Sequence, residues 1–259
     1  VFIFKPEWFG ITDASFPARF SFLLVGLWWL LFAQIPFRYL PRNRPTIGSE
    51  RLPFFTKVKK EFTSVLGQIK QIEAIKTFLP AYFFYSMGIQ TLLIVAAAFG
   101  EKVLNLGASK LIASILLIQI VAIGGAYIMS IAAKRFGNIK VLLVVVFFWI
   151  LICCASFYMT TEYQFYGMAF TVGLLMGGIQ SLSRSTYSKL IPEHIEDTTS
   201  FFSFYDVSEK VAIVIGLFSF GIIEQITQNI RYSALFLSVY FIIGFLLLFR
   251  VLKFNKLQI

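Results

Sequence analysis

Charge is scarce in this chain: Asp, Glu, Lys and Arg make up 14% of its 259 residues, against roughly 25% in ordinary soluble domains. It has two cysteines, a single histidine and only 13 acidic residues. Each shortage removes a class of function. With His194 the sole imidazole and no cysteine beside it, a metal centre is not expected. Cys153 and Cys154 are sequence neighbours whose side chains leave a helix in different directions, so they read as packing residues rather than a bridge. The HExxH motif would need two histidines. The sequence also lacks a GxGD pair of intramembrane aspartates, an aspartate-rich DDxxD run and a phosphate-binding GxxxxGK[ST] loop. The chain therefore reads as no enzyme and calls for no cofactor, and any work it does must draw on an ion gradient or a partner.

What is abundant is apolar sequence. Hydrophobic residues make up 58% of the chain, and the mean hydropathy is +0.79. Uncharged windows run over 20–37, 77–100, 111–133, 141–161, 163–183, 211–223 and 232–249. A hydrocarbon core about 30 Å thick needs roughly 20 helical residues, and six of the seven windows reach 18 or more. The window at 211–223 is short, so it spans only if its helix starts near Thr199 or Ser200 and carries Asp206, Glu209 and Lys210 into the membrane. Runs such as VLLVVVFFWILICCASF (141–157) are continuously apolar rather than alternating, which favours helices over a barrel. The expected fold is all-α, a polytopic transmembrane bundle of seven spans.

The net charge of +10 is sorted by loop rather than gathered for nucleic acid. Nine basic residues, from Arg38 to Lys76, lie between the first two spans. Lys134, Arg135 and Lys140 fall in the next loop on the same side, Arg184 and Lys189 in the one after, and Arg250, Lys253 and Lys256 in the tail. The opposite loops hold only Lys102, Lys110 and Arg231. By the positive-inside rule the rich side is cytoplasmic, so residue 1 lies outside and the C-terminus inside.

Three regions follow. Residues 1–40 comprise an exterior segment with Pro6 and Pro17 and the first span. Residues 41–76 are a cytoplasmic linker, and residues 77–259 hold six spans. After Pro41, Pro45 and Pro53, the residues Phe55, Val58, Phe62, Val65, Ile69 and Ile72 recur at spacings of three and four. This predicts an amphipathic surface helix near 54–74 that lies on anionic headgroups, on its own protein, or on both. The chain opens without an initiator Met or a signal-peptide pattern. One span, a basic linker and six further spans read as part of a two-part transporter.

Polar groups inside the spans mark where chemistry can sit. In MGGIQSLSRS (176–185), Gly177 and Gly178 allow close helix approach or a local break, with Gln180 and Arg184 following. In SFFSFYDVSEKVAIVIG (200–216), Asp206 and Lys210 stand four apart and are expected to pair, with Glu209 a competing partner. Tyr85, Gln90 and Thr91 bring polar groups to the second span, and Gln34 and Gln119 to others, where a helix–helix hydrogen bond is the plainer use of each.

The stretch GGIQSLSRSTYSKLIP (177–192), followed by FFSFYDVSEKVAIVIG (201–216), resembles the vacuole effluxer family of the major facilitator superfamily. YSMGIQT (85–91) and WWLLFAQIP (28–36) add to the likeness, which covers essentially the whole chain. The resemblance implies a twelve-helix exporter of amino acids or similar solutes. This chain would be its helices six to twelve, set in a bacterial inner membrane and lacking the first five helices. Lys134 to Lys140 would fall in the superfamily's DRxGRR loop, with Lys134 at its Asp, and Ser86 and Met87 would stand where many relatives carry Asn-Asp. On this reading Gln90, Thr91 and Gln180 line the substrate path, while Arg184, Asp206, Glu209 and Lys210 form a gate or coupling site at its cytoplasmic end. The partners are the bilayer, a small solute, a coupling ion such as the proton and the missing N-terminal helices, with no nucleic acid. The alternative is a non-transporting seven-helix receptor or assembly factor, complete as it stands.

Overall fold

A computed structural model describes residues 16–39, 54–193, 195 and 197–257. The described residues form eight helices: α1 (Phe16–Tyr39), α2 (Phe54–Gln71), α3 (Glu73–Leu104), α4 (Ala108–Phe136), α5 (Asn138–Phe157), α6 (Glu162–Leu190), α7 (Thr198–Thr227) and α8 (Ile230–Leu257). All but α2 are long and apolar enough to cross a bilayer, so the described residues are all-α with the seven membrane-spanning helices expected. His194, the segment 1–15 and the prolines at 41, 45 and 53 lie outside the described residues.

Local chemistry sets the helix ends. α6 opens with a capping box, in which the Gln164 amide donates to Thr161 Oγ1 at 3.4 Å and the Thr161 amide to Gln164 Oε1 at 3.1 Å. α7 is capped by Asp197, whose carboxylate accepts from the Ser200 amide at 3.1 Å. That cap starts the short sixth span at Thr198, so Asp206, Glu209 and Lys210 lie within the membrane-crossing helix, as its length demands. Between α4 and α5 the chain turns on a single residue, Gly137, at φ 89°, a region open to glycine at little cost.

The chain divides between Pro53 and Phe54. In the first unit α1 is described alone; its Gln34 is satisfied within the helix, donating to Leu30 O at 3.1 Å. The second unit contains α2 to α8. Here α3 and α5 both pack on α8, α7 packs on α3, and α4 pairs with α6. Trp149 of α5 is fully buried and stacks on Phe241 of α8 with centroids 5.6 Å apart. Cys153 is buried nearby as a free packing residue. The amphipathic linker helix forms as expected: Val65 and Ile69 are buried, and Phe62 stacks on Phe204 of α7 at 4.9 Å. It therefore packs on its own protein.

One end of this second unit is tied together by charge. Lys102 of α3 pairs with Glu224 of α7 at 2.6 Å, and Lys110 of α4 with Glu162 of α6 at 2.5 Å. Arg231 of α8 donates to the Phe157 carbonyl that closes α5, at 2.6 Å.

The α4–α6 pair depends on missing side chains. Gly173 and Gly177 of α6 have the GxxxG spacing that lets backbones approach closely in membranes. A Cβ on Gly177 would stand 2.0 Å from the Ala122 carbonyl oxygen, and one on Gly125 of α4 would stand 2.0 Å from that of Leu174. Of the two uses open to Gly177 and Gly178, the protein takes close approach, since α6 runs unbroken through both. Gly177→Ala must push backbone from backbone, so it is expected to cost about 1–3 kcal/mol. The check is the thermal unfolding midpoint of the purified protein in detergent; an unchanged midpoint would contradict the contact.

Candidate functional site

Helical periodicity builds a polar stripe on each of three spans. Residues four apart share a helix face. On α3 that face carries Tyr82, Ser86 and Gln90, on α6 Gln180 and Arg184, and on α7 Tyr205 and Glu209. Packing turns the three stripes onto one cavity of about 340 Å³, also lined by Tyr85, Ile89, Ile179, Ser181 and Ser183. This is within the size range of small-molecule sites, which hold a few polar groups in a largely apolar wall.

Tyr82, Tyr85 and Tyr205 bring phenol groups to its wall. Tyr82 stacks on Tyr205 at 4.0 Å, and Tyr205 lies 4.9 Å from Tyr187. Tyr187 in turn anchors the α6–α7 connection by donating to Phe201 O at 3.0 Å. Tyr85 is buried, with its hydroxyl 2.7 Å from Ser183 Oγ. Since the Ser183 hydroxyl donates to Ile179 O at 2.6 Å, Tyr85 is the donor of that pair. The relay locks α3 onto α6 beside the cavity.

The charged and amide groups of the wall come from the same three helices. Gln90 of α3 donates to Glu209 Oε1 of α7. Arg184 of α6 reaches Asp206 Oδ1 of α7 at 3.4 Å, with its guanidinium carbon 5.2 Å from the Phe202 ring centroid. The cavity thus presents one guanidinium and one carboxylate, from Arg184 and Glu209, with amide and phenol groups between them. Among the described residues no cluster of His, Cys, Asp or Glu is suited to a metal.

The expected site residues fall into two groups. Gln90, Gln180, Arg184 and Glu209 line the cavity, and Asp206 adjoins it through Arg184. Thr91 and Lys210 do not line it. Thr91 is fully buried with its hydroxyl against Gly216 of α7, where a Cβ would come within 2.1 Å. Nor does the expected Asp206–Lys210 pair form: Asp206 is engaged by Arg184 from the neighbouring helix, while Lys210 is exposed and makes no ion pair among the described residues. Spacing along one helix cannot register a cation delivered by another. Tyr82, Ser86, Ser183 and Tyr205 were not anticipated, although the i, i+4 series Tyr82–Ser86–Gln90 and Tyr205–Glu209 marks their faces in the sequence.

An all-helical membrane bundle with a mixed-charge cavity among its spans is the class of protein these features define. Residues 4–256 match the family described as vacuole effluxer, Atg22-like, and the chain belongs to that family. It is 30% identical over 242 residues to the uncharacterized MFS-type transporter YxiO of Bacillus subtilis (strain 168), covering 92% of this chain and 54% of that protein. It is also 31% identical over 263 residues to Autophagy-related protein 22 of Cryptococcus neoformans var. neoformans serotype D (strain JEC21), covering 93% of this chain and 45% of the relative. With Autophagy-related protein 22 of Kluyveromyces lactis the identity is 26% over 246 residues, 87% of this chain and 49% of the relative. The chain spans about half the length of these curated relatives.

Two substitutions test this geometry. Tyr85→Phe removes one buried donor while keeping the ring, and is expected to lower stability by about 0.5–1.5 kcal/mol. Lys210→Ala is expected to stay within about 0.5 kcal/mol of the parent, because an exposed residue without an ion pair has little to lose. Unfolding midpoints in detergent measure both. A large loss at Lys210, recovered when Asp206 is also replaced by Ala, would restore the pair within α7.

Proposed function

We propose that this chain belongs to a secondary active transporter of the major facilitator type that exports a small zwitterionic solute, an amino acid in the first instance. The observation that carries the reading is the cavity in which Arg184 and Glu209 face the same space. A guanidinium there can take a solute's carboxylate, and a carboxylate can take its ammonium group. Gln90 and Gln180 supply neutral hydrogen bonds beside them. The family's description as a vacuole effluxer and the description of YxiO as an MFS-type transporter support transport and efflux.

The cavity is one wall of the path. The facing wall comes, on this proposal, from further helices of the same protein, for which half-length coverage of the relatives leaves room. Glu209 is the only carboxylate lining the cavity among the described residues, which makes it the natural carrier of a coupling proton. Gln90 holds it in place from α3, and Arg184 with Asp206 closes the path at the basic end of the bundle. On this proposal that end, where the basic loops lie, faces the cytoplasm and the membrane is a bacterial inner membrane. A path partly built from α3, α6 and α7 also accounts for the charge carried within α7, since intramembrane charge is tolerated where it lines a cavity.

The test is the flux of labelled amino acids, sugars and organic cations across vesicles that contain the protein, with and without a proton gradient. Amino acids are expected to move and sugars not. Arg184→Gln and Glu209→Gln should each lower the flux at least tenfold, the order of effect when one charged contact worth roughly 1.5–3 kcal/mol is lost. Glu209→Gln should also abolish the response to the gradient. Flux that is indifferent to both substitutions would overturn the assignment of the site.

A further inference from the structure

The two ends of the α3–α8 bundle are electrostatically unlike. At one, acids and bases pair off, as Lys102 does with Glu224 and Lys110 with Glu162. At the other, Lys76 pairs with Glu73 and Arg184 with Asp206, but Lys134, Arg135, Lys140, Lys189, Arg250 and Lys253 stand at the ends of α4, α5, α6 and α8, and none of these six makes an ion pair among the described residues. Uncompensated cations at the edge of a membrane need counter-charge from outside the chain.

Three of them share a pocket. A depression of about 480 Å³ is lined by Lys134 of α4, Lys140 of α5 and Lys189 of α6, with no carboxylate in its wall. The first turn of α5 also forms part of the wall, through Asn138, Ile139 and Lys140. The cap residue of that helix is Gly137, which has no side chain to accept from the turn's amides. A helix start without such an acceptor carries partial positive charge and donors suited to an oxyanion. Asn138 is held over the pocket by Lys189, which donates to its Oδ1 at 3.4 Å, and its own Nδ2 donates to Ser185 Oγ at 3.4 Å. Apart from Thr186, whose hydroxyl donates to Leu182 O, the rest of the wall is apolar, with Phe136, Ile139, Leu190 and Leu252. Beside it Phe136, Ile131 and Ile128 leave α4 exposed and greasy, each more than half uncovered.

We propose that this pocket binds the phosphate group of an anionic phospholipid. The lysines and the open turn of α5 take the phosphate oxygens, whose charge a zwitterionic headgroup would already offset with its own ammonium group, and the acyl chains run down the apolar face of α4. A free phosphate ion would meet the same cations, but it would gain nothing from the apolar wall or from the exposed face continuous with it. Phospholipid phosphates are also held at the depth of helix ends, where basic clusters attract them.

Equilibrium binding of fluorescent phosphatidylglycerol, compared with phosphatidylcholine, to the purified full chain in neutral detergent tests the proposal. A lysine beside an anionic headgroup favours binding about fivefold, so three predict a preference on the order of 100-fold. The preference should fall to near unity when Lys134→Gln, Lys140→Gln and Lys189→Gln are combined. It should persist when the same three become Arg, and when Lys102→Gln and Lys110→Gln are made at the opposite end. If the triple Gln variant loses helix content, Lys140→Gln alone is the substitute, with an expected loss of about fivefold. Glycerol phosphate, which lacks acyl chains, is expected not to displace the lipid. Displacement at matched affinity would replace the lipid with a soluble phosphate ester as the occupant. Equal binding of the two lipids, or a preference that survives loss of all three lysines, would overturn the site.

Discussion

In hydrocarbon a backbone amide or carbonyl must find its partner inside the protein, and that constraint shapes every level of this chain. It makes helices of the apolar runs. It also governs most of the polar side chains those helices carry: Ser114, Ser156, Thr171, Thr186, Ser203 and Thr227 each donate to a carbonyl three or four residues earlier in their own helix. Such hydroxyls are spent locally and leave no trace in the tertiary structure. The polar groups that matter are those that a single helix cannot satisfy, namely Gln90, Arg184, Glu209 and the tyrosines around them.

Those groups end up together because the helices carrying them are held at fixed separations. The bare backbone of α4 and α6 brings the two helices into direct contact at Gly125 and Gly177, and Tyr85 ties α6 to α3 through Ser183. The third helix, α7, is carried against α3 at Thr91 and Gly216 and stacked through Tyr205 on Tyr82. Thr91 thus contributes by fixing a distance rather than by facing a solute. A cavity so framed can hold one positive and one negative group in the same space without letting them collapse onto each other, because Asp206 draws Arg184 to one side and Gln90 draws Glu209 to the other.

The basic residues play two roles that composition alone merges. Their loop distribution supports an orientation across the membrane. Their placement at the ends of α4, α5 and α6 additionally gathers Lys134, Lys140 and Lys189 around one depression, a convergence that requires the α4–α5 turn to meet the distant end of α6.

Length and hydrophobicity by themselves determined the seven spans, the linker helix with its buried Val65 and Ile69, and the presence of charge within α7. These depend on properties that a segment carries alone: its apolar run, its period, its caps. Motifs within 177–216 likewise identified the family. The partners of charged and polar residues were a different matter. Asp206 and Lys210 have the spacing of a helical pair, yet Arg184 from another helix takes the carboxylate. Thr91 sits one residue from Gln90, yet faces a different neighbour. Only the tertiary structure decided these, since a residue's position on a helix face is set by about 100° of rotation per residue, whereas the neighbour that face meets is set by how whole helices pack.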